Sequence, residues 1–222
     1  MIQSSLLYSK NAWLSIFLIA AFFFVQAFLP HPLVVNRTDY VPPPQELKYL
    51  NAGFAVQAAD SFWLRAVQDM DFCDSPINER ECVGKSWLFQ VIDLTVELDK
   101  KFRDAFYYGA LALTILISDY PGASVIFDKG VAEFPKDWSI LYAAGYHAMI
   151  EEQDKLKASR LYLSAVNNGA PEWVRLMAGR LASEGGDQNL AREVLGKLIE
   201  SQSDARWIQK LKKKIQEVER GK

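Results

Sequence analysis

Read from the N-terminus, the chain opens on a continuous apolar run and then settles into three- and four-residue hydrophobic spacing. Residues 12–29 (AWLSIFLIAAFFFVQAFL) hold 18 positions without a charge, and nothing later is comparable. At about 1.5 Å per residue a helix of that length reaches about 27 Å, close to the roughly 30 Å of a hydrocarbon core. The run predicts a single transmembrane helix after a short stub at residues 1–11, with Trp13 at one interface and Pro30 and Pro32 at the other. The alternative is a cleavable signal peptide, because Val25 and Ala27 form a small-x-small pattern behind an apolar run. The bulky Phe22, Phe23, Phe24 and Phe28, and a pre-run segment charged only at Lys10, favour the anchor.

Residues 30–45 contain five prolines, three of them consecutive at Pro42, Pro43 and Pro44, and read as a semi-rigid polyproline spacer. From Gln45 the spacing turns helical. Leu47, Leu50, Phe54, Ala58, Phe62, Ala66 and Met70 share one face and predict a single long amphipathic helix, which Trp63 and Leu64 widen. After a polar segment, Trp87, Leu88, Val91, Ile92, Thr95, Val96 and Leu98 predict a second helix. The two form a helical hairpin over residues 46–100.

Further on, the pattern repeats at close to 34 residues. Asp119, Asp154 and Asp187 each stand four residues before an alanine (Ala123, Ala158, Ala191), at intervals of 35 and 33. Four residues past each alanine comes a large apolar side chain (Phe127, Tyr162, Leu195), and three further on Gly130, Ala165 and Leu198. Pro135 and Pro171 follow two of the units. This arrangement resembles the tetratricopeptide repeat, with three units over residues 101–203 and a degenerate hairpin before them. The resemblance implies an all-α solenoid. Gly145 and Gly179 match the small residue where a unit's first helix crosses its second, a place where helices approach only over small side chains. In the first unit Leu111 stands there instead, and Pro121 and Gly122 break the chain in place of the usual turn. The second unit carries an extra residue near Glu151 to Gln153, and Ser203 replaces the third closing proline. Residues 204–222 place Trp207, Leu211, Ile215 and Val218 in steps of four, four and three, which suits a capping helix.

Composition adds little to the fold but narrows the function. With 50% hydrophobic and 23% charged residues over 222 positions the chain is a folded protein. A net charge of -2 and the absence of a basic face beyond Lys210, Lys212, Lys213 and Lys214 argue against a nucleic-acid partner. Lys10 and the amino terminus precede the apolar run, whereas Arg37 after it is offset by Asp39 and Glu46. That asymmetry places the N-terminus in the cytoplasm and the body outside an inner (plasma) membrane, periplasmic or extracytoplasmic. Cys73 and Cys82 bracket a polar loop with Pro76 and Asn78, where an oxidising compartment would allow a disulfide.

No catalytic, cofactor or metal constellation emerges. His31 and His147 are the only histidines, and His147 is expected to be packed. Asp69, Asp71 and Asp74 lack the glycine and glutamate of a calcium loop. Gly185 and Gly186 lack the Lys and Ser or Thr of a phosphate loop. The repeat resemblance instead implies a concave groove lined by the first helices, toward which it projects Tyr108, Tyr142, Tyr146, Trp173 and Arg180. Aromatic anchors and a cation there suit a protein or peptide partner. The expectation is therefore a membrane-tethered, non-enzymatic scaffold in an envelope, secretion, pilus or surface assembly. The alternative is a soluble periplasmic or secreted carrier released after Ala27.

Overall fold

The computed structural model describes residues 15–22, 24, 41–68, 84–201, 209–210, 212–213 and 216. The chain divides into residues 1–39 and residues 40–222. In the first unit, residues 15–22 are helical and expose Ile16, Phe17, Leu18, Ile19 and Phe22. No helix among the described residues is long and apolar enough to cross a membrane. The remainder of the predicted 12–29 segment, the cysteine pair Cys73 and Cys82, and the apolar stripe of the capping helix lie outside the described residues.

The second unit is all-α, with no strand among the described residues. After a 3-10 turn at Gln45–Lys48 come α1 (Ala55–Gln68), α2 (Trp87–Leu98), α3 (Arg103–Ile115) and α4 (Tyr120–Glu133). They are followed by α5 (Trp138–Ile150), α6 (Lys155–Asn167), α7 (Trp173–Glu184) and α8 (Gln188–Ser201). Consecutive helices pack as antiparallel hairpins, and α3 also packs on α5 while α2 packs on α4. Helices α3 and α5 thus share one layer, which Trp173 of α7 extends through Tyr142, and α2 and α4 share another, which Lys157 of α6 extends through Asp128, with an apolar strip between the odd- and even-numbered sides. Phe106, Ile126 and Phe127 fill that strip near its start, and Tyr162, Val174 and Leu195 further along.

The recurring Asp and Ala have a local cause. Asp119, Asp154 and Asp187 each sit at the N-terminus of the second helix of a hairpin. Their carboxylates accept from the backbone N–H of Gly122, Lys157 and Leu190 at 3.1, 2.8 and 2.9 Å. These are N-caps, which satisfy helix donors that have no intrahelical partner. Each is preceded by a residue of positive φ: Ser118 at 55°, Gln153 at 56° and Gly186 at 91°. The chain therefore reverses the same way three times, through a left-handed residue and then a capping aspartate. Ala123, Ala158 and Ala191 lie one turn into the capped helices and are completely buried.

Three details differ from the sequence reading. The predicted long first helix is broken, because Ala52 (φ 49°) and Gly53 (φ 86°) turn the chain and the Asn51 side chain accepts from the Gly53 N–H at 3.1 Å. Leu50 and Phe54 are consequently exposed. Pro121 does not break the chain but opens α4 within its first turn, where its missing N–H costs nothing. Finally, the first unit's counterpart of Gly145 and Gly179 is Ala110. Each of the three stands five residues before the last residue of its helix. Ala110 is fully buried, so the small crossing residue is conserved in kind and Leu111 lies beside it, partly buried. The turns explain the slip: those after α3 and α5 have four residues and that after α7 has three. The extra residue near Glu151 to Gln153 is thus shared with the first unit.

Candidate functional site

Charge is distributed unequally between the two layers. In the even-numbered layer Lys129 of α4 reaches Asp93 at 2.7 Å and Glu97 at 2.5 Å on α2. Burial works against the Lys129 cation, but the two carboxylates outweigh it and raise its pKa, while the Lys129 hydrogen bond lowers that of Glu97. Lys157 of α6 in turn bridges Asp128 of α4 and Glu152, both at 2.9 Å. In the odd-numbered layer, α3 carries no charged residue after Asp104 and α5 none except His147. What these two helices expose beyond the first turn of α3 is Tyr108, Ile115, Trp138, Tyr146 and Ile150. A surface helix normally turns a charged face to water, so this composition marks a face suited to contact.

The five residues singled out in the sequence fall into two places. Tyr142 and Tyr146 stand one turn apart on α5, and the half-buried Tyr142 ring meets Trp173 of α7 edge-to-face at 6.0 Å with an interplanar angle of 80°. Trp173 is 55% exposed, so its indole covers Tyr142 and still offers much of its own surface. Arg180 lies two turns further along α7, exposed and hydrogen-bonded to Glu184 at 2.6 Å. These four residues belong to the adjoining helices α5 and α7. Tyr108 stands on α3, which packs on α5, and walls an apolar cavity against α1.

Beneath the aromatic pair lies a tyrosine whose hydroxyl has no partner among the described residues. The Tyr162 ring, from α6, is fully buried 5.3 Å from the Tyr142 ring. A Cβ placed on Gly145 would stand 3.0 Å from it, which is why that crossing carries no side chain. Burial, reinforced by the nearby Tyr142 and Tyr146, pushes the Tyr162 pKa well above the ordinary tyrosine range. A neutral hydroxyl without an acceptor under an aromatic surface has a hydrogen bond to give.

His147 is a packing hub. It is 1% exposed, with Nδ1 3.0 Å from Thr114 Oγ1 of α3 and Nε2 2.9 Å from Ser124 Oγ of α4. Both hydroxyls also lie in reach of carbonyl oxygens one turn back, Ala110 at 3.0 Å and Tyr120 at 3.0 Å. The imidazole therefore ties three helices together. Desolvation lowers its pKa, partly opposed by Glu152. Compared with known proteins, the chain matches no family model and no curated protein.

Proposed function

We propose that this chain is a membrane-tethered scaffold of tetratricopeptide-like hairpins that holds a protein or peptide partner and performs no catalysis itself. The observation that carries this reading is the odd-numbered layer, which presents Tyr142, Tyr146 and Trp173 from α5 and α7 beside faces of α3 and α5 almost without charge. Aromatic side chains supply large contact area at low conformational cost, and Arg180 provides a cation at the far end of α7. The tether is residues 12–29, the spacer residues 30–45, and the charge asymmetry around them puts the body on the extracytoplasmic side, within an envelope, secretion, pilus or surface assembly. There the cysteine pair can be oxidised.

The decisive comparison uses the full-length chain in cells, cross-linked and recovered with its neighbours, against Tyr142→Ala with Trp173→Ala. Loss of the recovered partner from the double variant supports the groove, provided the melting temperature of the purified variant stays close to that of the parent. An unchanged partner set removes it. The second reading, a soluble carrier released after Ala27, rests on the small-x-small pattern at Val25 and Ala27. The mature N-terminal mass decides between them, since a chain beginning near Phe28 has no tether.

A further inference from the structure

Helix α3 packs directly on α5, whereas α1 and α3 approach each other less closely. Between them is a cavity of about 250 Å³ walled by Trp63, Ala66 and Val67 of α1, Leu88 and Ile92 of α2, and Tyr108, Gly109 and Ala112 of α3. Its floor is fixed: Leu88 and Ile92 are buried, and a Cβ on Gly109 would come within 2.8 Å of the Ile92 side chain. Its mouth is formed by Val67 and Tyr108, 44% and 52% exposed.

We infer that this cavity receives a single bulky apolar side chain from a partner helix laid along α3. This rests on the scaffold reading but concerns a separate place on the molecule. Three observations select the occupant. The volume falls below the roughly 300–1,000 Å³ of small-molecule pockets, which leaves room for one anchor side chain. The cavity presents no polar atom, so nothing inside it would orient a free polar ligand. From the mouth an uncharged track continues along α3 through Tyr108, Ala112 and Ile115, four and then three residues apart, over about 10 Å. Ile115 is 69% exposed. A track at that spacing matches the i, i+4, i+7 face of a helix bound in a groove. A charged residue on that face would lose its hydration and meet no counter-ion on α3, so the partner's face is uncharged.

The probe is a set of helical peptides of about 14 residues, uncharged apart from the guest position and long enough for a helix to form on binding, with Leu at i+4 and i+7 and one guest at i. Guests Phe, Leu, Ala and Lys are titrated against the full-length chain in lipid nanodiscs, with laurate as an acyl-chain competitor. The Phe and Leu guests are expected to bind at least about tenfold more tightly than Ala or Lys, from burial of the side chain. Ala112→Leu, which fills the cavity from within, is expected to erase that ranking while leaving the melting temperature level or higher. Val67→Phe at the mouth is expected to do the same. Equal binding of all four guests to the parent protein overturns the inference without reference to any variant, as does a ranking that survives both filled cavities. Laurate binding more tightly than the Phe peptide, and displacing it, identifies an acyl-chain site and equally overturns it. A chain that holds its natural partner through Tyr142 and Trp173 yet ignores the guest loses only this inference.

Discussion

The three capping aspartates look equivalent in the sequence, and their surroundings predict that they are not. Asp154 is exposed and makes one cap bond, to the Lys157 N–H, and Asp187 makes one to the Leu190 N–H. Asp119 is 2% exposed and accepts four hydrogen bonds. Besides the Gly122 cap these come from the Gly84 N–H at 2.5 Å, the Ser86 hydroxyl at 2.5 Å and the Ser86 N–H at 3.3 Å. Removing a cap costs about 1 kcal/mol. Truncating Asp119 to alanine also strands the Ser86 N–H and hydroxyl in a buried place, where each unsatisfied group costs about 1–3 kcal/mol. The hydroxyl can rotate toward another acceptor, so about 3 kcal/mol in all is the expected loss for Asp119→Ala, against about 1 kcal/mol for Asp154→Ala or Asp187→Ala. At about 2–4 °C per kcal/mol for a chain of this size, the melting temperature should fall by about 10 °C in the first case and about 3 °C in the others. Thermal melts of the three variants measure this, and hydrogen exchange localises it: the Gly84 and Ser86 amides should lose protection only in Asp119→Ala. Equal melting shifts, or undisturbed exchange at Gly84 and Ser86, would refute the assignment of Asp119 as the bolt between the start of α2 and the start of α4.

Other predictions follow from the same geometry. Ser118→Gly and Gln153→Gly should each stabilise the fold by up to about 1 kcal/mol, since both native residues sit at positive φ, and Gly186→Ala should destabilise it by a similar amount; urea unfolding reads all three. The lowered pKa of His147 means that the unfolded chain binds a proton more readily than the native one. Stability should then be full above the ordinary histidine value of about 6.5 and decline as pH falls from there toward the native value. His147→Gln should flatten that slope, even though Glu152, Asp128 and Lys157 still face the site. Asp137, whose pKa is lowered chiefly by its hydrogen bond with Arg103, works at more acidic pH. Its contribution is present above the ordinary aspartate value and is lost as pH falls through the lowered one, so Asp137→Asn should weaken the fold at pH 7 and flatten its acid decline.

Much of the hairpin pattern was legible because it is local. The helix over Trp87 to Leu98, the Asp-to-Ala interval and the buried Phe127, Tyr162 and Leu195 all follow from side chains one or two turns apart on one helix. The failures came where register or partner is set elsewhere. Counting back from the capping aspartates sets Leu111 level with Gly179, yet the turn after α7 is one residue shorter than those after α3 and α5, and only the helix ends reveal Ala110 as the counterpart. The long helix through Leu50 and Phe54 had the right periodicity, but the Asn51-Ala52-Gly53 turn prevails over it. The spacing places Tyr108 on the first helix of its unit, but nothing in its neighbourhood along the chain announces the cavity it shares with Trp63 and Ile92. The isolation of the Tyr162 hydroxyl is likewise a matter of three-dimensional surroundings, which spacing does not encode.

The two layers divide the work of the molecule. On the even-numbered side a series of polar links fixes one hairpin to the next: Asp119 joins the start of α2 to α4, Lys129 joins their middles, and Lys157 carries the series to α6, while on the odd-numbered side Arg103 pairs with Asp137 and Thr114 meets His147 between α3 and α5. With α2 held in this way, α1 is anchored through its own contacts with α2 and through Trp63, whose ring meets Phe102 edge-to-face at 5.6 Å. It is not required to close on α3 as well. The less close approach of α1 to α3, and the cavity between them, can therefore exist without loosening the stack. The same division explains why α5, and α3 beyond its first turn, can dispense with charge. Their neighbours supply much of the polar fastening, leaving α3 and α5 to present aromatic and aliphatic side chains that a soluble surface ordinarily hides.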